Sequence, residues 1–136
     1  MSFTREEIIK SVYELKYKLA PSLIPGAGVG LFALVDIPAD TYVVQHRTAT
    51  DFHIPWEEVK DAPIVVQEHI AEMTTCDWKE FRLDVPADMI YPAYYVNHSA
   101  EPNLYWDRHT DELYAIRNIA AGEEMTTYYK PEERTF

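Results

Sequence analysis

Asn97-His98-Ser99, closely followed by Pro102-Asn103, is the stretch of this chain best equipped for chemistry. Asn and His side chains carry complete sets of hydrogen-bond donors and acceptors. Lying between the β-favouring run Tyr94-Tyr95-Val96 and the strand-like Leu104-Tyr105-Trp106, they can tie two backbone segments together or grip a polar ligand. The plainer reading is a turn, because Asn, Ser and Pro are turn formers and Asn-His-Ser also fits a glycosylation sequon. A second candidate runs from Ser22 to Ala33, where Gly26, Gly28 and Gly30 alternate. Such glycines allow backbone angles closed to other residues and let a ligand approach the main chain. No Lys-Ser/Thr follows, which excludes a Walker loop, and the glycine spacing does not fit a dinucleotide fingerprint. The alternative is a hairpin with a Gly-rich lead-in.

The elements that must position these residues can be read in outline. Thr4-Arg5-Glu6-Glu7 is a capping-box pattern, and Ile8, Val12, Leu15 and Leu19 recur at helical spacing. A helix over about 5–18 is predicted, its buried face widened by Ile9 and Tyr13, with Pro21 as the stop. Strands are expected over Gly30 to Val35 and Thr41 to Gln45, joined by a turn at Asp36 to Asp40. A helical insert is predicted over about 51–75, with Pro55 and Pro63 suited to first turns. Trp78 to Val85 reads as a strand. Asn103 to Trp106 and Glu112 to Arg117 make a hairpin, and Met125 to Tyr129 follows a last turn. Residues 130–136 form a short tail.

Composition narrows the class. The 136 residues suffice for a single domain with a real core. Twelve Lys and Arg against 23 Asp and Glu give a net charge of -11, which disfavours nucleic acid and anionic membranes and favours cationic partners such as lysine-rich peptides. Cys76 is the only cysteine, so neither a disulfide nor a Cys-based zinc cluster staples the domain. His53 and His69 lack ligand-spaced neighbours, and no metal site is expected. The N-terminus has no signal-peptide pattern and no apolar run approaches 18 residues, so a soluble, intracellular protein is expected, in the cytoplasm or, for a viral protein, the host nucleus.

Three signatures stand in order: Gly28-Val29-Gly30-Leu31-Phe32-Ala33, then Asn97-His98-Ser99 with Pro102-Asn103, then Gly122-Glu123-Glu124-Met125-Thr126-Thr127-Tyr128-Tyr129. Together they resemble the SET domain of protein lysine methyltransferases that use S-adenosylmethionine, over roughly 22–129. The resemblance implies a mostly β (α+β) fold of short curved strands with a C-terminal pseudoknot, an N-terminal helix and a helical insert. It implies that Ala27, Gly28, Val29 and Gly30 offer backbone to the cofactor, that Asn97 and His98 hold it from the other side, and that His98 braces the C-terminal segment. Tyr129 takes the catalytic role. His46, Tyr95, Tyr105, Trp106 and Tyr128 are substrate-channel candidates, with ordinary core packing the alternative for Tyr95 and Tyr105. Trp106 falls near the position where the family places an aromatic that limits how many methyl groups fit.

The chemistry suits these residue types. A neutral lysine amine attacks the sulfonium methyl in line, so positioning and desolvation carry most of the rate. An aromatic channel suits the lysine stem and its cationic head. Three departures from the family stand out: His46 replaces a tyrosine common in relatives, Tyr128 replaces the usual aspartate, and the cysteine-rich flanks are missing. The result resembles a minimal SET domain of the kind seen in viruses and bacteria. The tail or a second subunit, as in a homodimer, would then complete the lysine channel. A SET-like binding module that grips peptides without turnover is the competing reading.

Overall fold

The fold is described from a computed structural model for residues 2–45, 52–74, 76–89 and 91–128. Helix α1, Arg5–Glu14, starts behind the capping box: Thr4 Oγ1 accepts from Glu7 N at 3.1 Å, and Glu7 Oε1 accepts from Thr4 N at 3.1 Å. It stops four residues short of the predicted end. Leu15 is already extended (φ -65°, ψ 123°), and Tyr17–Pro21 forms strand β1, paired antiparallel with β2, Val29–Ala33, from Tyr17↔Ala33 to Pro21↔Val29. Leu15 and Leu19 are four apart, as on a helix, but cross-strand pairing of Leu19 with Leu31 outweighs that spacing. The predicted buried stripe is not buried: Ile8 is 56% and Val12 70% exposed.

Then come β3, Tyr42–Gln45; β4, Phe52–Pro55; α2, Ile64–Met73; β5, Glu80–Leu83; β6, Asn97–His98; β7, Leu104–Asp107; β8, Glu112–Ala115; and β9, Glu124–Thr127. Two predictions need correction. The insert opens as strand β4, paired with β5 from Phe52↔Leu83 to Pro55↔Glu80, and only later becomes helical, with a 3-10 turn at Trp56–Val59 before α2. The run ending in Tyr94-Tyr95 is a 3-10 turn, Pro92–Tyr95, in which Pro92 suits a first helical position. The insert has its own small core of Ile70, Cys76 and Phe81, with the Trp56 ring 4.7 Å from Phe81. His53 is hydrogen-bonded there, its Nδ1 lying 2.6 Å from Glu80 Oε2.

Among the described residues the strands form sheets in the orders β1-β2-β9-β6, β3-β8-β7 and β4-β5. The main core lies between the first two and includes Leu31, Val44, Val96, Leu104, Leu113 and Met125. Strand β9 is central: it runs antiparallel to β2 (Leu31↔Met125) and parallel to β6 (Asn97↔Thr126, His98↔Thr127). That parallel pair brings two chain segments of very different sequence position side by side.

Two turns below the core cap each other. Ile37 and Ile119 exchange both backbone hydrogen bonds at 2.8 Å, Asn118 Oδ1 accepts from Ala39 N, and Asp36 Oδ1 accepts from Ala121 N. Glu123 holds this region through Arg117 (3.1 Å) and Ala120 N (2.8 Å), and these contacts, Arg117 first, keep its carboxyl below the usual 4.5. A depressed carboxylate contributes stability above its unfolded pKa and loses it as pH falls through the folded value. Glu123→Gln should therefore flatten the pH dependence of the thermal midpoint below about pH 4.5, leaving the remainder of the profile intact. An unchanged acid limb would show that this exposed pair contributes nothing.

Candidate active site

The Gly-rich segment is the loop of the β1–β2 hairpin. Ser22 N donates to Gly28 O (2.7 Å) and Ala27 N to Ile24 O (3.1 Å), which closes the loop on itself. Gly26 (φ 77°) and Gly28 (φ 75°) adopt left-handed conformations, and an added Cβ on either would meet open space. Conformation, not crowding, requires glycine at both positions. Gly30 is glycine for a different reason. A Cβ there would run into the Glu124 carboxylate and stand 3.3 Å from Asn97 Nδ2.

All three sequence signatures meet at this point. Asn97, on β6, donates from Nδ2 to Val29 O (3.0 Å) and to Glu124 Oε2 (3.2 Å). Glu124, on β9, also accepts from Ser22 Oγ (2.7 Å) and Leu23 N (2.8 Å). His98 follows on β6, its ring 5.1 Å from that of Tyr128, and Ser99 N donates to Thr127 O at 3.0 Å. One loop, one short parallel strand and the C-terminal strand are thereby joined by side chains as well as backbone.

Asn103 completes the arrangement from inside the protein. It is buried, donates from Nδ2 to Glu124 O (2.9 Å) and accepts at Oδ1 from Thr126 N (2.8 Å). Its carboxamide acts as a one-residue strand partner for β9. Asp84 plays a similar part before β6, accepting from the hydroxyls of Tyr91 (2.6 Å) and Tyr94 (2.7 Å) and so pinning the 3-10 turn.

Of the predicted cofactor-binding residues, Ala27, Asn97 and His98 are half-buried, Gly28 and Val29 exposed, and Gly30 buried. The loop and β6 bring Val29, Gly30 and Asn97 together at Glu124, while His98 meets Tyr128. The channel candidates divide. Tyr105 and Trp106 are neighbours on β7, so their side chains leave opposite faces of the sheet. Trp106 packs against the main core and donates from Nε1 to Asp111 Oδ1 (2.9 Å). Tyr105 stacks on Tyr114 at 5.6 Å, and Tyr114 in turn meets the edge of Tyr42 at 6.1 Å. Those two cannot line one channel wall. Tyr95 is half-buried in the 3-10 turn, and Tyr128 is exposed apart from its contact with His98. His46 and Tyr129 lie outside the described residues.

Burial first, with Glu112 next, pushes the Tyr42 hydroxyl above its usual 10; Tyr114 shifts the same way, again from burial first. Tyr42 and Tyr114 therefore hold their protons more tightly than a free tyrosine does. Sequence reasoning missed Glu124 and Asn103 as site residues. The available signal was the pairing of a crowded glycine with an acidic residue on a neighbouring strand, visible only once register is known.

Comparison with known proteins places this arrangement in a family. Histone-lysine N-methyltransferase SETD7 of Halocynthia roretzi is 28% identical over 130 residues, covering 85% of this chain and 32% of that protein. The chain thus spans about a third of the length of this curated relative. A Plasmodium falciparum histone methyltransferase candidate superposes with a TM-score of 0.51 at 18% identity, over 85% of this chain and 94% of that one. A humanized mutant of the Chaetomium thermophilum Polycomb Repressive Complex 2 bound to the inhibitor GSK126 gives 0.55 at 24% identity, over 86% of this chain and 15% of that one. ctPRC2 in an autoinhibited conformation bound to S-adenosylmethionine gives 0.53 at 23% identity, over 87% of this chain and 15% of that one. At these identities the superpositions establish the fold alone. The SET domain family model matches residues 28–130, most of the sequence, and the chain belongs to the SET domain family.

Proposed function

We propose that this chain is an S-adenosylmethionine-dependent protein lysine N-methyltransferase acting on a basic protein or peptide segment. The observation that carries the reading is the convergence of the Gly-rich loop, Asn97 and Glu124 in one hydrogen-bonded cluster beside the strand that leads to Tyr128-Tyr129. The residues fit the cofactor: Gly26 and Gly28 leave the loop open where side chains would stand, and half-buried Asn97 sets its carboxamide against the loop at Val29 O. When bound, the cofactor supplies a sulfonium-activated methyl group.

The chain's own residues then do the rest. Ala27 to Gly30 offer backbone to the cofactor, and Asn97 holds the loop through Val29 O. The His98 ring meets that of Tyr128 at a tilt and so steadies the segment just beyond β9. Tyr129 would orient the neutral lysine amine in line with the methyl group that the bound cofactor would supply, and the amine's surplus proton would leave to water or a tyrosine. Placement of the reacting groups is the main catalytic resource, and no nucleophilic side chain is required. A net charge of -11 favours a basic substrate segment. The relatives' names put histones first among the substrates to test.

Calorimetric titration with S-adenosylmethionine and S-adenosylhomocysteine should show saturable binding at one site per chain. Labelled methyl should then transfer to lysine-rich protein. No binding up to millimolar ligand overturns the reading. Binding without transfer to any lysine-rich protein favours the peptide-gripping module instead.

A further inference from the structure

Glu124 has no part in the chemistry above, yet its carboxylate is the most heavily shared side chain around the loop. It takes Ser22 Oγ and Leu23 N from the start of the loop, and Asn97 Nδ2 from β6. Ser22 Oγ extends the connection by accepting from Ile24 N at 3.0 Å. The carboxylate lies in the space that Gly30 leaves by lacking a side chain. Its own backbone carbonyl is held by Asn103, at the start of the strand that ends one residue before Tyr128.

We infer that Glu124 is a positioning residue that latches the cofactor loop to the C-terminal strand, so that a formed loop and a correctly placed β9 come as one unit. This rests on the methyltransferase reading. The residue type follows from the donors it faces: a hydroxyl, a backbone N–H and a carboxamide N–H all point at it. An ionised carboxylate is acceptor-only and offers about four lone-pair positions. A glutamine has one acceptor oxygen and turns its NH2 toward a donor. An aspartate is one methylene shorter and cannot reach across the Gly30 gap to both Ser22 and Leu23. Gly30 and Glu124 are thus two halves of one device, and a side chain at Gly30 would displace the carboxylate.

The test compares wild type, Glu124→Gln and Ser22→Ala. Affinity for S-adenosylhomocysteine is measured by calorimetry well below the melting range, with amide hydrogen exchange over residues 22–29. Glu124→Gln should weaken binding at least tenfold, about 1.4 kcal/mol, and speed exchange at Leu23 and Ile24. Ser22→Ala, which removes only a hydroxyl, should do the same by a smaller factor and keeps the test available if Glu124→Gln fails to fold. The double variant should be less than multiplicative, because both changes break one bond. A purely structural Glu124 would lower the thermal midpoint and leave the folded protein's affinity within twofold, which overturns the latch. If wild type binds and both variants bind equally well, the latch alone falls. If wild type itself does not bind, the cofactor reading falls and the latch with it.

Discussion

Tyr129→Phe should lower methyl transfer by roughly 100-fold or more while cofactor affinity stays within about twofold, the scale expected when one positioned donor or proton-transfer group is lost. The residue follows β9 by two positions, and β9 is held on both sides, by β2 and by β6. A hydroxyl that is held in place before reaction can orient an amine at little further entropic cost. Phenylalanine keeps the ring and removes only the oxygen. Single-turnover transfer of labelled methyl, with S-adenosylhomocysteine affinity measured in parallel, separates the two effects. Tyr128→Phe is the control. Its ring lies on His98 and survives the change, so its rate should fall only severalfold. If Tyr128→Phe, and not Tyr129→Phe, stops transfer, the catalytic role belongs one residue earlier.

Much of this site is legible in sequence because local chemistry and distant contacts agree. The β7–β8 hairpin forms across Arg108 to Asp111, as its alternation predicts, with Trp106 opposite Leu113. The capping box at Thr4 gives the true start of α1. Its end was not legible, since Tyr17–Pro21 becomes a strand only because β2 is there to pair with it. The same cause hid β4, whose partner lies beyond α2. Tyr105 and Trp106 carry their division in the sequence itself: neighbours on a strand face opposite ways, so alternation alone separates the pair. Glu124 is different. Nothing in Gly-Glu-Glu distinguishes a solvated turn carboxylate from one that receives three donors, and β9's register against β2 decides between them.

Asn103→Ala should cost about 2–4 kcal/mol of stability, the largest loss expected from a polar truncation in this site. The side chain is 4% exposed and makes two bonds to one strand, donating to Glu124 O and accepting from Thr126 N. Alanine leaves both backbone groups without a partner in the interior, and each such group costs about 1–3 kcal/mol. Against a typical total of about 5–15 kcal/mol, that is a serious fraction, and the thermal midpoint should fall by around 10 °C. A midpoint within about 2 °C of wild type would mean that water replaces the carboxamide and that β9 does not depend on it. Asn103→Asp sharpens the argument. It keeps the acceptor for Thr126 N but sets a carboxylate oxygen against Glu124 O, so burial and that repulsion favour its protonated form. A group whose folded pKa is raised contributes stability below its unfolded pKa and loses it as pH rises through the folded value. The deficit of Asn103→Asp relative to wild type should therefore shrink between pH 7 and pH 4, as the restored O–H donates to Glu124 O, whereas the Asn103→Ala deficit should stay constant.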